Sequence, residues 1–256
     1  MQLNYKVFGS GYPVIILHGL LGSLDNWQSI AKKLAEIFQV FIVDQRNHGR
    51  SPHADDFNYQ ILSDDLLDFL EQQHISKAHL IGHSMGGKVA MKFALNHTDK
   101  VVKLVVVDIG PNDYGDEGSY IFKALVSIDL SKIKSREEVT NMLLKELNND
   151  QVTVQFLMKS LERSDLGQTG FKWKFNLDSL WKNYDKISGP VVSPKPFHGE
   201  TLFIKGEKSD FINSSNRASI AALFPQFQSV DINGAGHWVQ ADRPEEFVSR
   251  VIEFLS

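Results

Sequence analysis

Short apolar runs that alternate with helical patterns constrain the fold of this chain more than any other feature. The runs 13–17, 40–43, 78–81 and 101–107 contain few polar residues, as expected for strands that are covered on both faces. Between the runs, apolar residues recur at the three- and four-residue spacing of helices that bury one face. Strands that alternate with helices pair in parallel. We therefore predict an α/β fold with a mostly parallel central sheet and helices on both faces.

The alternation stops between residues 112 and 196 and then resumes. The interrupted segment shows helical patterns only, and one of them opens with the capping box Ser135-x-x-Glu138. Two further apolar runs and a final amphipathic helix follow the segment. We predict a core formed by residues 1–111 and 197–256, into which residues 112–196 are inserted as an all-helical cap.

The pentapeptide Gly82-His83-Ser84-Met85-Gly86 joins the apolar run 78–81 to a helical pattern. A strand, a sharp turn and a helix form the context that a G-x-S-x-G nucleophile elbow requires. The glycines leave room where a side chain would collide with a neighbouring strand or helix. The helix N-terminus behind the turn favours developing negative charge. The pattern predicts that Ser84 is a nucleophile.

A serine hydroxyl needs a base to remove its proton. The candidate base is His237, which lies in the glycine-rich stretch 234–238 after the last predicted strand. Two carboxylates could orient this histidine. Asp108 directly follows the run 101–107, and Asp210 follows the next strand along the chain. Both acids give the chain order Ser…Asp…His.

An oxyanion hole requires two backbone N–H groups aimed at the same point. The amide of Met85, next to the nucleophile, is one candidate donor. The second is the amide of Leu20, in the stretch His18-Gly19-Leu20-Leu21-Gly22 after the first buried run. We interpret His18 itself as a structural residue of this loop.

Aromatic residues near the cap and the base are candidates for a substrate pocket. Trp173, Phe175 and Trp181 cluster in the predicted cap, and Trp238 follows the candidate base. An apolar pocket lined by such side chains would hold an acyl group. The simpler interpretation of the three cap aromatics is that they form the core of the cap.

A glycine-rich loop after the second buried run carries Asp44, Arg46 and His48. We interpret these residues as polar groups that hold the elbow region by hydrogen bonds. Arg46 is also a candidate contact for an anionic group such as a CoA phosphate.

The chain resembles the α/β-hydrolase superfamily over its whole length. The matching segments are 18–22, 44–51, 82–86 and 234–238, and the segments 107–111, 173–177 and 235–238 are similar to the bacterial YbfF-type esterases. This resemblance implies an α/β-hydrolase fold and the hydrolysis of short acyl esters and acyl-CoA thioesters without a cofactor. At the usual acid position of the superfamily stands Ser209, and Asp210 is displaced by one residue. The YbfF-like pattern instead places the acid at Asp108, which we therefore favour.

Composition excludes several classes of function. The chain has 256 residues, a net charge of −4 and no cysteine, which disfavours nucleic-acid binding and excludes disulfides and Cys-ligated zinc. No metal spacing such as H-E-x-x-H occurs, and neither a signal core nor an apolar run of membrane-spanning length is present. We expect a cytoplasmic monomer or homodimer that acts without cofactor or metal on a small-molecule ester or an acyl-CoA.

Two alternatives to an esterase remain open at this level. The same triad supports C–C bond hydrolysis or peracid formation, and these reactions depend on pocket groups that the sequence does not place. A fold of this kind can also serve as a non-catalytic ligand-binding protein. The presence of Ser84, His237 and two candidate acids favours an enzyme.

Overall fold

The structure is a computed structural model that describes residues 1–164 and 170–256. The strands are β1 (Tyr5–Phe8), β2 (Pro13–Leu17), β3 (Gln39–Val43), β4 (Ala78–His83), β5 (Val101–Val107), β6 (Leu161–Arg163), β7 (Phe171–Trp173), β8 (Glu200–Gly206) and β9 (Phe227–Ile232). The α-helices are α1 (Gln28–Leu34), α2 (Tyr59–Gln72), α3 (Met85–Asn96), α4 (Ser119–Val126), α5 (Arg136–Glu146), α6 (Gln151–Met158), α7 (Leu177–Lys182), α8 (Tyr184–Ser188), α9 (Arg217–Leu223), α10 (Val239–Asp242) and α11 (Pro244–Leu255). Short 3₁₀ helices span Leu24–Trp27, Thr98–Lys100 and Leu130–Lys132.

Seven strands form one mixed sheet in the order β1-β3-β2-β4-β5-β8-β9. Strand β1 runs antiparallel to β3, and the other neighbouring strands run parallel. The predicted mostly parallel sheet is confirmed. Because parallel strands end at the same edge of a sheet, the loops that follow β2, β4, β5, β8 and β9 lie along that edge, where ligands of open α/β sheets bind.

Both faces of the sheet are buried, which explains the unbroken apolar runs in the sequence. In β2, Ile15 and Leu17 belong to a hydrophobic cluster that includes α2 and α3. Their neighbours Val14 and Ile16 belong to a second cluster that includes α1 and α11. Side chains along a strand alternate between the two faces, so every residue of such a strand must be apolar when helices cover both.

Residues 112–196, here called the insertion, lie between β5 and β8 and contain α4 to α8. The helix α5 begins as its sequence predicts, since Ser135 Oγ accepts a hydrogen bond from the Glu138 amide at 3.1 Å. The prediction that this segment has no strands is wrong, because β6 and β7 pair antiparallel with Leu161 opposite Trp173. Three-residue strands are too short to show a period of two in the sequence.

Candidate active site

The nucleophile elbow is the tightest turn at the edge of the sheet. Strand β4 ends at His83 and helix α3 begins at Met85, so Ser84 alone makes the turn, with φ of 51° and ψ of −121°. A Cβ atom at Gly82 would lie 2.3 Å from the Gly86 carbonyl oxygen, and one at Gly86 would lie 2.4 Å from a carbonyl oxygen of β2. The glycines are therefore required for the reason that the sequence suggested. The strained conformation of a non-glycine residue here costs on the order of 1–3 kcal/mol.

His237 lies in the loop between β9 and α10, and its Nδ1 is 2.7 Å from Asp108 Oδ2. The Asp108 side chain is fully buried, whereas 20% of the His237 side chain is exposed. Asp108 follows β5 directly with φ of 51°, and its amide donates to the Ile204 carbonyl of β8 at 2.8 Å. The carboxylate occupies one ring nitrogen, so Nε2 is the nitrogen left for proton exchange. His237 and Ser84 line the same cavity.

The Asp108 carboxylate is held by two further donors. The Gly206 amide donates to Oδ1 at 3.0 Å, and the Ser209 hydroxyl donates to Oδ2. Ser209 occupies the usual acid position of the superfamily, and its hydroxyl here donates to the carboxylate of Asp108, which follows the neighbouring strand β5. Asp210 is exposed, and its backbone carbonyl accepts from the Asn213 side chain. The structure brings Asp108, and not Asp210, to His237.

The two candidate oxyanion-hole amides come from the elbow and from the loop after β2. Met85 is the first residue of α3, so its N–H has no acceptor within the helix. In the other loop, the Leu21 amide donates to His48 Nε2 at 3.2 Å and the Gly22 amide donates to the Gly19 carbonyl at 3.1 Å. The Leu20 amide has no acceptor among residues 1–164 and 170–256. Leu20 and Met85 both line the cavity with Ser84.

The sequence suggested that Asp44, Arg46 and His48 hold the elbow region by hydrogen bonds. Within the described residues, His48 instead fixes the loop that carries Leu20 by accepting from the Leu21 amide, while Asp44 and Arg46 bond to neighbouring segments. His48 donates from Nδ1 to the Arg46 carbonyl at 2.9 Å, and burial holds the pKa of His48 well below its usual value. Asp44 accepts from the Leu24 amide at 2.7 Å. The Arg46 guanidinium pairs with Asp65 at 2.5 and 2.8 Å. Arg46 is therefore committed inside the protein and does not reach the cavity as a phosphate ligand.

His83 is a site residue that the sequence analysis missed. Its Nε2 donates to the His237 carbonyl at 2.8 Å, which connects the elbow to the loop of the base. Burial, and to a smaller extent the nearby His237, lower the pKa of His83 to about 3, so the ring is neutral with its proton on Nε2. A Cβ atom at Gly19 would lie 2.8 Å from His83 Nδ1. The ring thus also packs against the oxyanion loop. Its place next to the nucleophile was the only signal in the sequence.

The cavity beside Ser84 has a volume of about 340 Å³ and is lined by both the core and the insertion. Of the predicted pocket residues, Trp238 lines it. Trp173 and Phe175 instead stack on each other with ring centroids 5.3 Å apart, and Trp181 stacks on Phe122 at 5.3 Å. These three aromatics are absent from the cavity wall because they pack within the insertion, which is the simpler of the two interpretations of the sequence.

Other aromatic residues line the cavity in their place. They are distributed over α2, α4, α6, α8 and two loops, and no spacing in the sequence groups them: Tyr59, Tyr114, Tyr120, Phe122, Phe156, Tyr184 and Phe211. The Phe211 ring lies over the His237 ring with a centroid distance of 4.3 Å. The hydroxyls of Tyr59 and Tyr114 donate to backbone carbonyls. Their aromatic faces therefore give the cavity its apolar character.

Lys88 is the second residue that the sequence analysis missed. It lies one turn after Ser84 on α3 and is 2% exposed. Its ammonium donates to the carbonyls of Asn112, Ser188 and Gly189 at 2.7, 2.8 and 2.6 Å. These carbonyls belong to the first residue and to the last helical turn of the insertion, so Lys88 connects the elbow helix to both. Burial lowers the pKa of Lys88 to about 7, while its three acceptors require all three ammonium protons.

The described part of the chain offers neither a metal-binding cluster nor a membrane-spanning helix. Within residues 1–164 and 170–256, no group of three or more His, Asp or Glu side chains is arranged to hold a metal ion. No helix in the same part of the chain is long and apolar enough to span a bilayer.

Comparison with known proteins defines the class. A family profile for the alpha/beta hydrolase fold matches residues 12–244, and the chain belongs to this family. Its relatives include the esterase YbfF of Escherichia coli, which is 37% identical over 95% of this chain and 93% of the relative. The sn-1-specific diacylglycerol lipase ABHD11 of Danio rerio is 38% identical over 100% of this chain and 83% of its own length. The solved structure of a marine microorganism esterase is similar with a TM-score of 0.95 and 44% identity, covering 99% of both chains.

Proposed function

We propose that the protein is a serine esterase that hydrolyses carboxylic esters through an acyl-enzyme on Ser84. The observation that carries the proposal is the pairing of His237 with the buried Asp108 carboxylate beside a cavity that Ser84 also lines. Relatives named as esterases and diacylglycerol lipases support an ester as the bond that is cleaved. A largely apolar cavity of about 340 Å³ suits acyl chains of short to medium length.

The proposed reaction begins when Ser84 Oγ attacks the ester carbonyl carbon and His237 Nε2 accepts its proton. Asp108 keeps the ring proton on Nδ1 and stabilises the imidazolium. The amides of Leu20 and Met85 donate to the oxyanion of the tetrahedral intermediate. Protonated His237 then gives its proton to the leaving alcohol oxygen, and the C–O bond breaks to leave the acyl-enzyme.

Water completes the cycle by the same steps. His237 takes a proton from the water as it attacks the acyl carbonyl, and the returning proton restores the Ser84 hydroxyl when the acid leaves. The chemistry accepts an acyl-CoA thioester as well, since a thiol leaves more easily than an alcohol. Arg46 does not support CoA binding, because Asp65 already holds it. C–C bond hydrolysis and peracid formation use the same triad, and no described cavity residue favours either over ester hydrolysis.

Covalent labelling tests the proposal. A fluorophosphonate probe should label the wild-type protein on Ser84, and Ser84→Ala should lose the label and about 10⁶ in kcat. The exposed Ser214 provides a matched control, since Ser214→Ala should keep both. Activity is measured on p-nitrophenyl esters and acyl-CoAs of graded chain length. A Ser84→Ala protein that keeps more than a tenth of the wild-type turnover would show that Ser84 is not the nucleophile.

A further inference from the structure

We propose that Ser160, in the insertion, is a positioning residue for the oxyanion hole, because its hydroxyl holds the loop 18–22 in the shape that aims the Leu20 amide. This inference rests on the proposed esterase function and adds a residue to its machinery. Three observations carry it: the bonds that hold Leu21, the backbone conformation of Leu21, and the way in which Ser160 is itself fixed.

The loop 18–22 is bonded at Leu21 by the core and by the insertion. The Leu21 amide donates to His48 Nε2 at 3.2 Å, and the Leu21 carbonyl accepts from the Ser160 hydroxyl at 2.8 Å. His48 is fully buried and Ser160 is 1% exposed, so water does not compete for either bond. The core therefore fixes one side of Leu21, and the insertion fixes the other.

Leu21 needs both bonds because its backbone lies in the left-handed region, with φ of 62°. Such a conformation costs a residue other than glycine about 1–3 kcal/mol and persists only where the surroundings impose it. Without the Ser160 hydroxyl, the buried Leu21 carbonyl would lack its donor, which is itself unfavourable. Rotation of the backbone at Leu21 would relieve both costs. It would turn the peptide that joins Leu20 to Leu21 and thereby displace the Leu20 amide.

Ser160 is held firmly enough to act as a fixed donor. It lies between α6 and β6, where its amide donates to the Leu157 carbonyl at 2.9 Å and its carbonyl accepts from the Lys174 amide at 2.8 Å. Helix α6 also packs against the loop, since a Cβ atom at Gly22 would lie 3.5 Å from Phe156 Cζ. The hydroxyl thus bonds to the loop from a backbone that is fixed on both sides.

The expected effect follows from the role of the Leu20 amide. Removal of a whole oxyanion-hole donor costs about 10²–10³ in kcat, and a displaced donor should cost part of that. Ser160 is not among the described residues of the cavity wall. Its loss should therefore weaken binding of the transition state and leave binding of the substrate unchanged.

Kinetics of two serine variants test the inference. On p-nitrophenyl butyrate, Ser160→Ala should lower kcat by about 10- to 100-fold with KM within about twofold. Ser127→Ala is the matched control, because the exposed Ser127 also lies in the insertion and its hydroxyl also donates to a backbone carbonyl, that of Ala124 at 2.8 Å. This variant should keep the wild-type kcat and KM. Circular dichroism spectra and urea midpoints establish that both variants are folded.

Two ketone inhibitors distinguish a displaced amide from a general change of the cavity. Hexyl trifluoromethyl ketone adds to the serine hydroxyl and forms a tetrahedral oxyanion, so its Ki reports on the oxyanion hole. Ser160→Ala should raise this Ki by about the factor by which it lowers kcat/KM. Hexyl methyl ketone has the same alkyl chain and forms no stable adduct. Its Ki should be the same in the wild type and in both variants.

The outcomes separate this inference from the proposed function. Ser160→Ala with the kinetics of Ser127→Ala would overturn the inference while the esterase function stands. A raised KM, or an equal loss of affinity for both ketones, would also overturn it, because Ser160 would then shape the cavity rather than position the amide. A wild-type protein that cleaves no ester of the graded series and is not labelled on Ser84 would refute the esterase function and the inference with it.

Discussion

Replacement of Asp108 by asparagine should abolish most of the activity with little change in structure. The side chain is fully buried, and its two oxygens accept from Gly206, Ser209 and His237. An amide has one acceptor oxygen and one donor nitrogen. In one orientation its NH₂ group faces His237 Nδ1 and the Ser209 hydroxyl. In the other orientation it faces the Gly206 amide, so each orientation places a donor against a donor.

The protein can relieve this conflict most easily at the histidine. If the His237 ring proton moves to Nε2, Nδ1 can accept from the asparagine NH₂ group. Nε2 is then protonated and cannot take the Ser84 proton. Loss of the correct tautomer in a triad costs about 10⁴ in kcat, which corresponds to about 5.4 kcal/mol of transition-state free energy. KM should change little, because no described wall residue of the cavity is altered.

Steady-state kinetics on p-nitrophenyl butyrate separate the two candidate acids. Asp210→Asn makes the same chemical change at an exposed residue and should cost tenfold or less. Ser209→Ala removes one hydrogen bond to the carboxylate and should give an intermediate loss of about tenfold. The reasoning is refuted if Asp210→Asn loses more activity than Asp108→Asn, or if Asp108→Asn keeps a tenth of the wild-type kcat. Circular dichroism spectra and urea midpoints establish that the variants are folded.

Three further predictions concern a metal requirement, the role of His83 and the pH dependence of stability. Dialysis against EDTA should leave kcat unchanged, and a loss that zinc or manganese restores would contradict catalysis without a metal. His83→Phe keeps an aromatic ring but removes the donor to the His237 carbonyl, so kcat should fall at least tenfold with KM within about twofold; an unchanged kcat would show that the contact does not position the base. Burial lowers the pKa of His18, His48, His79 and His83, so below about pH 6.5 the unfolded state binds more protons than the native state. As the pH is lowered below this value, the free energy of unfolding should decrease by up to about 1.4 kcal/mol per pH unit for each histidine. Equal urea midpoints at pH 5.5 and 7.5 would contradict this.

The sheet could be predicted from the sequence because a strand that is buried on both faces appears there as an unbroken apolar run. A strand such as β2, with one side chain set facing α2 and α3 and the other facing α1 and α11, must be apolar throughout. The sequence pattern of the insertion is less informative. Its strands β6 and β7 are too short for a periodic pattern, and Trp173 and Phe175 pack on each other although their composition equally suits a ligand pocket.

The choice between two acids illustrates why the sequence left the site incomplete. Strands β5 and β8 are neighbours, and Val107 pairs with Ile204. A carboxylate after the end of either strand can therefore reach the same histidine, and both chain orders are allowed. Chain order alone does not separate them, and it was the resemblance to the YbfF-type esterases that favoured Asp108. The three-dimensional arrangement agrees with that choice, because the Ser209 hydroxyl donates to Asp108 while Asp210 is exposed. The roles of Asp108, Ser84 and His237 in catalysis stay predictions for the kinetic tests.

The unit formed by β4 and α3 positions more than the nucleophile. On one side of Ser84, His83 holds the backbone of the base and packs against the oxyanion loop. One turn further on, Lys88 donates to carbonyls at the first residue and at the last helical turn of the insertion, which forms part of the cavity wall. The candidate nucleophile, the candidate base, the loop that carries Leu20 and part of the cavity wall are thus all held by one strand and one helix. Both contacts use backbone carbonyls as acceptors, and any sequence supplies a carbonyl at these places. In the sequence, the only sign of the donors His83 and Lys88 is therefore their position one residue before and four residues after Ser84. Their acceptors become visible only in the three-dimensional structure.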